Sequence, residues 1–302
     1  MKVFITGGTG FLGKFLIEKL KFEKYQICSP TSKECNLLKR GDLNNYVESY
    51  DFIYHLAAWT QAGDFCLFHK GEQWLINQQI NTNILDWWQS MQPQAKFISI
   101  GTSCSYDPNL SLEEKNYLLG KPIDSLYTYA MTKRMLQIGI ESISSQYKLN
   151  YLTLVPSTLF GENYHLDGRQ MHFIFDLIRK IFNGKFNGDK VILWGDGNQR
   201  RELVYVNDFV DIMFYLAQNY TNEIINIGSG NDYSIKQFAG MICHYINFNN
   251  DLIEYDTSRY VGASSKILSI NKLNDLNIKY RLTNLDKSLK KTIDWYKNNV
   301  LK

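Results

Sequence analysis

Lys2-Val3-Phe4-Ile5-Thr6-Gly7-Gly8-Thr9-Gly10-Phe11-Leu12-Gly13 begins as a short apolar run, turns at paired glycines and enters a helical pattern. The run is too short for a helix and ends at glycine, so it reads as a buried strand. Phe11, Leu12, Phe15, Leu16 and Leu20 then recur at the spacing of an amphipathic helix. Gly7 permits the tight turn, Gly10 lets the backbone approach a pyrophosphate, and Gly13 allows close packing of helix on strand. Unpaired N–H groups at the helix start favour phosphate there. Glycines at 7, 10 and 13 would be a weak signal alone; between a strand and a helix they predict a dinucleotide site.

Working outward, short apolar runs at 25–28, 52–56, 97–100 and 151–155 alternate with helical patterns at 72–90 and 127–147. The first of these helices carries Leu75, Ile76, Ile80, Ile84, Leu85 and Trp88 on its expected apolar side. Strands separated by helices predict an α/β fold, a doubly wound parallel sheet of the Rossmann type. After Pro156 the alternation weakens, with a short strand at 191–194 and one more sheet strand at 224–227. The expected division is a cofactor domain of 1–156 plus about 204–232, and a smaller C-terminal substrate domain of 157–203 plus 233–302. Ligands of open parallel sheets lie in the crevice at the strand ends.

The 302 residues carry 33 Lys+Arg against 30 Asp+Glu, a net charge of +3. No basic run tracks phosphates, so no nucleic-acid partner is expected. No stretch reaches the roughly 18 apolar residues of a membrane span. The chain opens on a strand rather than on a charged and then apolar leader, so a cytoplasmic protein is expected. Cys28, Cys35, Cys66, Cys104 and Cys243 form no CxxC pair and are expected to be reduced thiols. His165 and His172 have no carboxylate cluster beside them, and no metal is expected.

The second strand ends Cys28-Ser29-Pro30-Thr31-Ser32-Lys33, with no acid before Glu34. An acid there would bind the free ribose hydroxyls of NAD. Hydroxyls and a lysine suit a 2′-phosphate, so NADP(H) is expected, with NAD as the alternative. Tyr129-Ala130-Met131-Thr132-Lys133 lies within the predicted helix 127–147, and the i,i+4 spacing puts phenol and ammonium on one face. A free tyrosine ionises near about 10. A neighbouring lysine and an oxidised nicotinamide would lower that value. With the glycine turn, this pair points to proton exchange beside a nicotinamide.

From residue 1 to about 270 the chain resembles the extended short-chain dehydrogenase/reductases, in their nucleotide-sugar epimerase/dehydratase branch. The resemblance is carried by TGGTGFLG at 6–13, HLAA at 55–58, GTSCSY at 101–106, YAMTK at 129–133, VPSTLFG at 155–161 and RELVYVND at 201–208. Within the branch it looks most like the GDP-L-fucose synthases, which epimerise and reduce a GDP-4-keto-6-deoxymannose. That likeness rests on Ser103-Cys104, Leu118-Leu119-Gly120, His172 before Phe173-Ile174, and Trp194-Gly195-Asp196-Gly197.

The resemblance implies that Thr102 hydrogen-bonds the substrate carbonyl, Tyr129 protonates the C4 oxygen as hydride arrives, and Lys133 holds the nicotinamide ribose and tunes Tyr129. Cys104 and His172 match the pair that epimerises C3 and C5. A thiol and an imidazole exchange protons near neutral pH, and the C4 ketone acidifies both carbons. The implied cofactor set is Gly7, Thr9, Gly10, Phe11, Leu12, Gly13, Ser29, Ser32, Lys33, Asn36, Leu37, Leu56, Ala57, Ala58, Thr102, Tyr129, Lys133 and Pro156. The implied substrate set is Ser103, Cys104, Thr158, His172, Lys180, Trp194, Arg201 and Lys266, with Arg179 a weaker match. Sugar dehydratases have Thr-Asp-Glu where this chain has Thr102-Ser103-Cys104, which argues against loss of water.

Two departures from the fucose-synthase pattern lie near the sugar. Ser157-Thr158 replace an asparagine, and Trp59-Thr60-Gln61-Ala62-Gly63-Asp64 replace small residues and paired glycines. They leave the sugar open between a deoxyhexose and a heptose. The expected activity is NADPH-dependent reduction of a nucleotide-linked 4-keto sugar with C3/C5 epimerisation. The alternatives are reduction without epimerisation, an NAD-retaining C4-epimerase, and a non-catalytic cofactor sensor. Relatives pair through two long helices, so a homodimer is expected through 72–90 and 127–147, where Met135, Ile138 and Ile143 spread beyond one stripe.

Overall fold

The computed structural model of the chain describes every residue except 63, 64, 260, 262, 277, 279, 301 and 302. Gly63 and Asp64 of the loop after Ala58 therefore lie outside the described residues. The first half runs β1 (Lys2–Thr6), α1 (Phe11–Phe22), β2 (Gln26–Cys28), α2 (Arg40–Leu43), β3 (Phe52–His55), α3 (Phe65–Phe68), α4 (Lys70–Met91), β4 (Lys96–Ile100), α5 (Tyr127–Tyr147) and β5 (Tyr151–Pro156). The second half runs β6 (Thr158–Phe160), α6 (Phe173–Asn187), β7 (Val191–Trp194), β8 (Arg200–Tyr205), α7 (Val206–Asn219), β9 (Glu223–Ile227), β10 (Asp232–Ser234), α8 (Ile235–Ile246), β11 (Ile253–Asp256), β12 (Ser265–Lys266), α9 (Asn271–Asp275) and α10 (Leu285–Val300).

The main sheet has the order β2-β1-β3-β4-β5-β9. All its pairings are parallel. The chain starts at β1, steps out to β2 and returns to β3 on the other side of β1. The topological switch point thus falls between β1 and β3, where α/β sheets bind ligands. One face of the sheet packs on α1 and α7 through Ile5, Leu16, Leu20, Phe209 and Met213. The other packs on α4 and α5 through Phe4, Phe97, Trp87, Trp88 and Ile140. Trp88 is fully buried, and its indole N–H donates to Ala95 O at 2.9 Å.

A second core gathers Ile178, Ile181, Phe182, Phe238, Ile242 and Ile293 from α6, α8 and α10. Its neighbour β8 pairs with β10 antiparallel and with β6 and β12 in parallel. These short strands carry polar residues and pair far along the chain, so no period-two signal announced them. Phe11 sits edge-on to both Tyr164 and Phe175, joining the glycine turn to this second core.

Helix α4 corrects one expectation. Ile84, Leu85 and Trp88 are buried, but Leu75 is exposed, Ile76 and Ile80 are only half-buried, and the inward stripe above them is Gln73, Asn77 and Asn81. Amides are needed there because the sheet has ended and a polar loop backbone must be satisfied. Asn77 accepts from Trp59 N–H and donates to Trp59 O, both at 2.9 Å.

Candidate active site

The glycine turn closes by Gly10 N–H donating to Gly7 O at 3.0 Å. Gly7 has φ +72°, and a Cβ there would lie 2.7 Å from Ala57 N. A Cβ on Gly13 would lie 2.4 Å from Gly7 O. The turn is therefore packed against its own helix and against Leu56-Ala57 at the end of β3. Gly10 caps α1 without a side-chain partner, and no acid stands in the first turn, so the helix N-terminus suits phosphate. Thr9 and Gly10 are exposed at its mouth, and Phe11 and Leu12 are half-buried behind them. These residues fit a dinucleotide.

At the end of β2, Ser29 presses on the turn: a Cβ on Gly8 would overlap its Oγ. Ser32 and Lys33 are exposed. Glu34 folds back to accept Thr31 N–H at 2.8 Å, which helps hold its carboxyl below the usual range. Asn36 N–H donates to Asp42 at 2.9 Å, and Leu37 O accepts from Asn83 on α4. On the sheet side, Thr6 Oγ1 accepts Ala57 N–H at 3.2 Å and meets His55 Nδ1 at 2.8 Å. His55 Nε2 reaches Asn81 Oδ1 at 3.2 Å. Burial, then the Lys133 charge, pull His55 down to about 4, so it is neutral. Its Nε2 is then the donor and its Nδ1 accepts the threonine proton.

Across the cofactor cradle, β4 ends in the turn that carries Thr102, Ser103 and Cys104. Thr102 Oγ1 accepts Cys104 N–H at 3.2 Å, and its hydroxyl hydrogen-bonds the Tyr129 phenol. Ser103 is buried in the same turn. On α5, Lys133 Nζ donates to Ile100 O at 2.8 Å, and burial lowers it to about 8. The Tyr129 phenol is pushed up by burial and then by Cys104, against a hydrogen bond from Thr102. This corrects one expectation: in the protein alone, Lys133 is turned to a backbone carbonyl and Tyr129 is held as a protonated acid.

The far wall comes from distant segments. Lys266 Nζ lies 2.9 Å from Cys104 Sγ. Strand register sets Lys266 beside Arg201. Burial alone would raise the Cys104 thiol, but Lys266, Thr102 and Arg201 outweigh it and hold it below its ordinary value. His172 caps α6 on the wall of the cleft, open to water, its backbone N–H donating to Tyr164 Oη at 3.3 Å. Desolvation, then Lys266, then His165, push it down, an effect that its exposure to water weakens. Trp194, nearly half exposed, lies between Lys180 at 5.5 Å and Arg259 at 5.6 Å from its ring. Arg179 pairs with Asp176, which Lys180 also holds at 3.1 Å, and acts on Tyr296 of α10. Pro156 and Thr158 flank Ser157, whose buried Oγ finds no partner among the described residues.

A family model described as the NAD dependent epimerase/dehydratase family matches residues 3–228. The chain belongs to that family. It is a nicotinamide-dependent enzyme. A GDP-L-colitose synthase of Yersinia pseudotuberculosis is 29% identical, covering 99% of this chain and 98% of its own. A GDP-6-OMe-4-keto-L-xylo-heptose reductase from C. jejuni superposes with TM-score 0.89 at 22% identity, over 99% of this chain and 98% of that one. A GDP-L-fucose synthetase from Naegleria fowleri bound to NADP gives 0.85 at 24%, over 100% and 95%. At these identities the two structures show the shared fold.

Sequence reading missed the groups that hold this family site in place. Arg134, next to Lys133, is buried and donates to Ser105 O at 2.9 and 2.5 Å, Leu119 O at 2.6 Å and Gly120 O at 2.8 Å. It fastens the Thr102–Ser105 turn to α5. Tyr117 accepts from Thr102 N–H at 3.3 Å and from Ser105 at 3.2 Å. Buried Glu202 accepts from Gly230 N–H at 2.8 Å and Leu268 N–H at 3.2 Å, fixing the segment that follows Lys266. Only the amides of α4 left a signal, at 73, 77 and 81 along one helical face.

Proposed function

We propose that the protein is an NADPH-dependent reductase of the C4 ketone of a GDP-linked 4-keto sugar, a deoxyhexose or heptose, with epimerisation at C3 and C5. The observation that carries this reading is the convergence of Thr102, Cys104, Tyr129 and Lys266 on one cleft beside the glycine cradle. The names of the colitose and fucose synthases and of the heptose reductase support the GDP-sugar class and the cofactor. In this reading 1–156 plus about 204–232 hold the cofactor, and 157–203 plus 233–302 hold the nucleotide sugar.

When bound, the nicotinamide supplies hydride to C4. Tyr129, kept protonated by burial, gives its proton to the C4 oxygen, and the Thr102 hydroxyl, which holds the phenol in the protein alone, turns to steady that oxygen. Lys133 keeps N–H donors for the nicotinamide ribose beyond the one used on Ile100 O. Before reduction, Cys104 as a thiolate removes a proton next to the ketone, and His172 serves the opposite face. Arg201 and Lys266 bind the diphosphate, and Trp194 with Lys180 packs on the nucleotide. The test is a panel of GDP-, dTDP-, UDP- and CDP-4-keto sugars with NADPH in deuterium oxide. Nicotinamide absorbance reads reduction, and label at C3 and C5 reads epimerisation. Reduction without label reduces the proposal to a plain 4-ketoreductase.

The same reading includes a homodimer through α4 and α5. Trp74, Leu75, Met135 and Ile138 stand exposed on these adjacent helices, more apolar surface than scattered residues explain. A monomer by light scattering at micromolar concentration overturns it. A thiolate at Cys104 needs a reducing compartment, and we infer the cytoplasm.

A further inference from the structure

Cys104 stands in an unbalanced setting. Its own turn supplies Thr102, β8 supplies Arg201 and β12 supplies Lys266. Tyr129 of α5, Tyr117, and Cys66 of α3 also face it, each a neutral acid raised by burial. Two cations and no carboxylate act on the sulfur among these groups. Of the two, Lys266 is in hydrogen-bond contact with it at 2.9 Å.

We propose that Lys266 is the counter-ion of Cys104, holding the sulfur as a thiolate ready to take the proton next to the ketone. The inference deepens the epimerase reading and rests on it only for the catalytic meaning of the pair. A thiolate takes a proton from carbon at once, whereas a thiol must first lose its own. Neither raised phenol nor the Cys66 thiol can accept that proton near neutrality, so a fixed positive charge is the device the site offers. Register with Arg201 explains how Lys266 also serves a diphosphate: an ammonium has three donors, and only one lies on the sulfur. Lys266 is on this account a positioning residue for the base as well as a phosphate ligand.

A role in phosphate binding alone would leave the nucleotide-free enzyme untouched, and the test uses that difference. Iodoacetamide modification of Cys104 is followed by peptide mass spectrometry between about pH 5 and 10 in the wild type, Lys266→Met and Lys266→Arg. The wild-type midpoint is expected below the ordinary thiol value of about 8.5. Lys266→Met should raise it by about 1–3 pH units, and Lys266→Arg should keep it low. NADPH binding checks the fold, and Lys266→Gln is read the same way should Lys266→Met not fold. A Cys104 midpoint that does not move in the charge-removing variant overturns the proposal and leaves the epimerase reading standing. A moved midpoint with no solvent label at C3 or C5 in the wild type keeps the pair and removes the epimerase reading.

Discussion

The two walls of the cleft are built in different ways. The cofactor wall is backbone: residues 6–13 close on themselves and on Leu56-Ala57, and Gly7 and Gly13 are fixed by contacts of 2.7 and 2.4 Å that a Cβ would make. The sugar wall is side chains, drawn together from β4, α5, α6, β8 and β12, with Cys104 and Lys266 162 residues apart. The first wall works by shape, so damage there acts on binding. The second works by charge and proton position, so damage there acts on rate.

The largest separation of the two should come from Tyr129→Phe. The change removes one hydroxyl and little volume, so NADPH binding should survive. Reduction should fall by about 10²–10⁴-fold, the usual worth of a general acid. Single-turnover oxidation of bound NADPH measures it. Retention of more than half the rate would remove Tyr129 from the chemistry.

His55 sits behind both walls, joining Thr6 to Asn81, and offers a test by pH. Its folded value of about 4 lies below the roughly 6.5 of a free imidazole, so the unfolded chain binds the proton more readily. Stability from this group is therefore complete above pH 6.5 and lost as pH falls toward 4. At pH 4.5 the loss should be about 2–3 kcal/mol. Urea unfolding at pH 7 and 4.5 should show His55→Asn less stable at pH 7 and less sensitive to acid. Parallel acid sensitivity in variant and wild type would show that His55 is not the group responsible.

Legibility followed the same divide. The parallel sheet and the glycine cradle could be read because each residue's reason lies within a few neighbours, as with Gly7 and its left-handed φ. Tyr129, Lys133, Thr102, Cys104 and His172 could be named, but not their mutual electrostatics. In the protein alone Lys133 spends a donor on Ile100 O and burial dominates the Tyr129 phenol, so the lowering expected of Lys133 with an oxidised nicotinamide is not visible there. The apolar side expected of α4 placed Leu75, Ile76 and Ile80 inward and passed over the amides at 73, 77 and 81, since helical period alone does not say which face a loop will need. Arg134 was invisible because its partners are carbonyls, which carry no sequence signature.

Gly7→Ala sharpens the comparison from the cofactor side. A left-handed conformation costs a non-glycine residue about 1–2 kcal/mol, and the added methyl also meets Ala57 N. NADPH should bind at least about 5–30-fold more weakly by fluorescence titration, by that cost alone. The rate at saturating cofactor should change little, the reverse of Tyr129→Phe. A large fall in saturated rate with unchanged affinity would mean that the turn positions chemistry rather than phosphate.

Lys33 is where the backbone wall depends on a charge, and the effect expected is the smallest. Its side chain is exposed, so water and salt screen whatever it does for a 2′-phosphate. An exposed ion pair is worth about 0.2–1 kcal/mol, which is about 1.4–5-fold in affinity. Lys33→Ala should weaken NADPH by that factor and leave NADH unchanged, because NADH has free hydroxyls where NADPH carries the phosphate. The neighbouring acid does not compete for those hydroxyls, since Glu34 is turned onto Thr31 N–H. Raising the salt should shrink the wild-type preference toward that of the variant. Equal losses for NADPH and NADH would mean that Lys33 supports the β2 turn rather than the 2′-phosphate. Discrimination would then fall to Ser29 and Ser32, whose hydroxyls act with little dependence on salt.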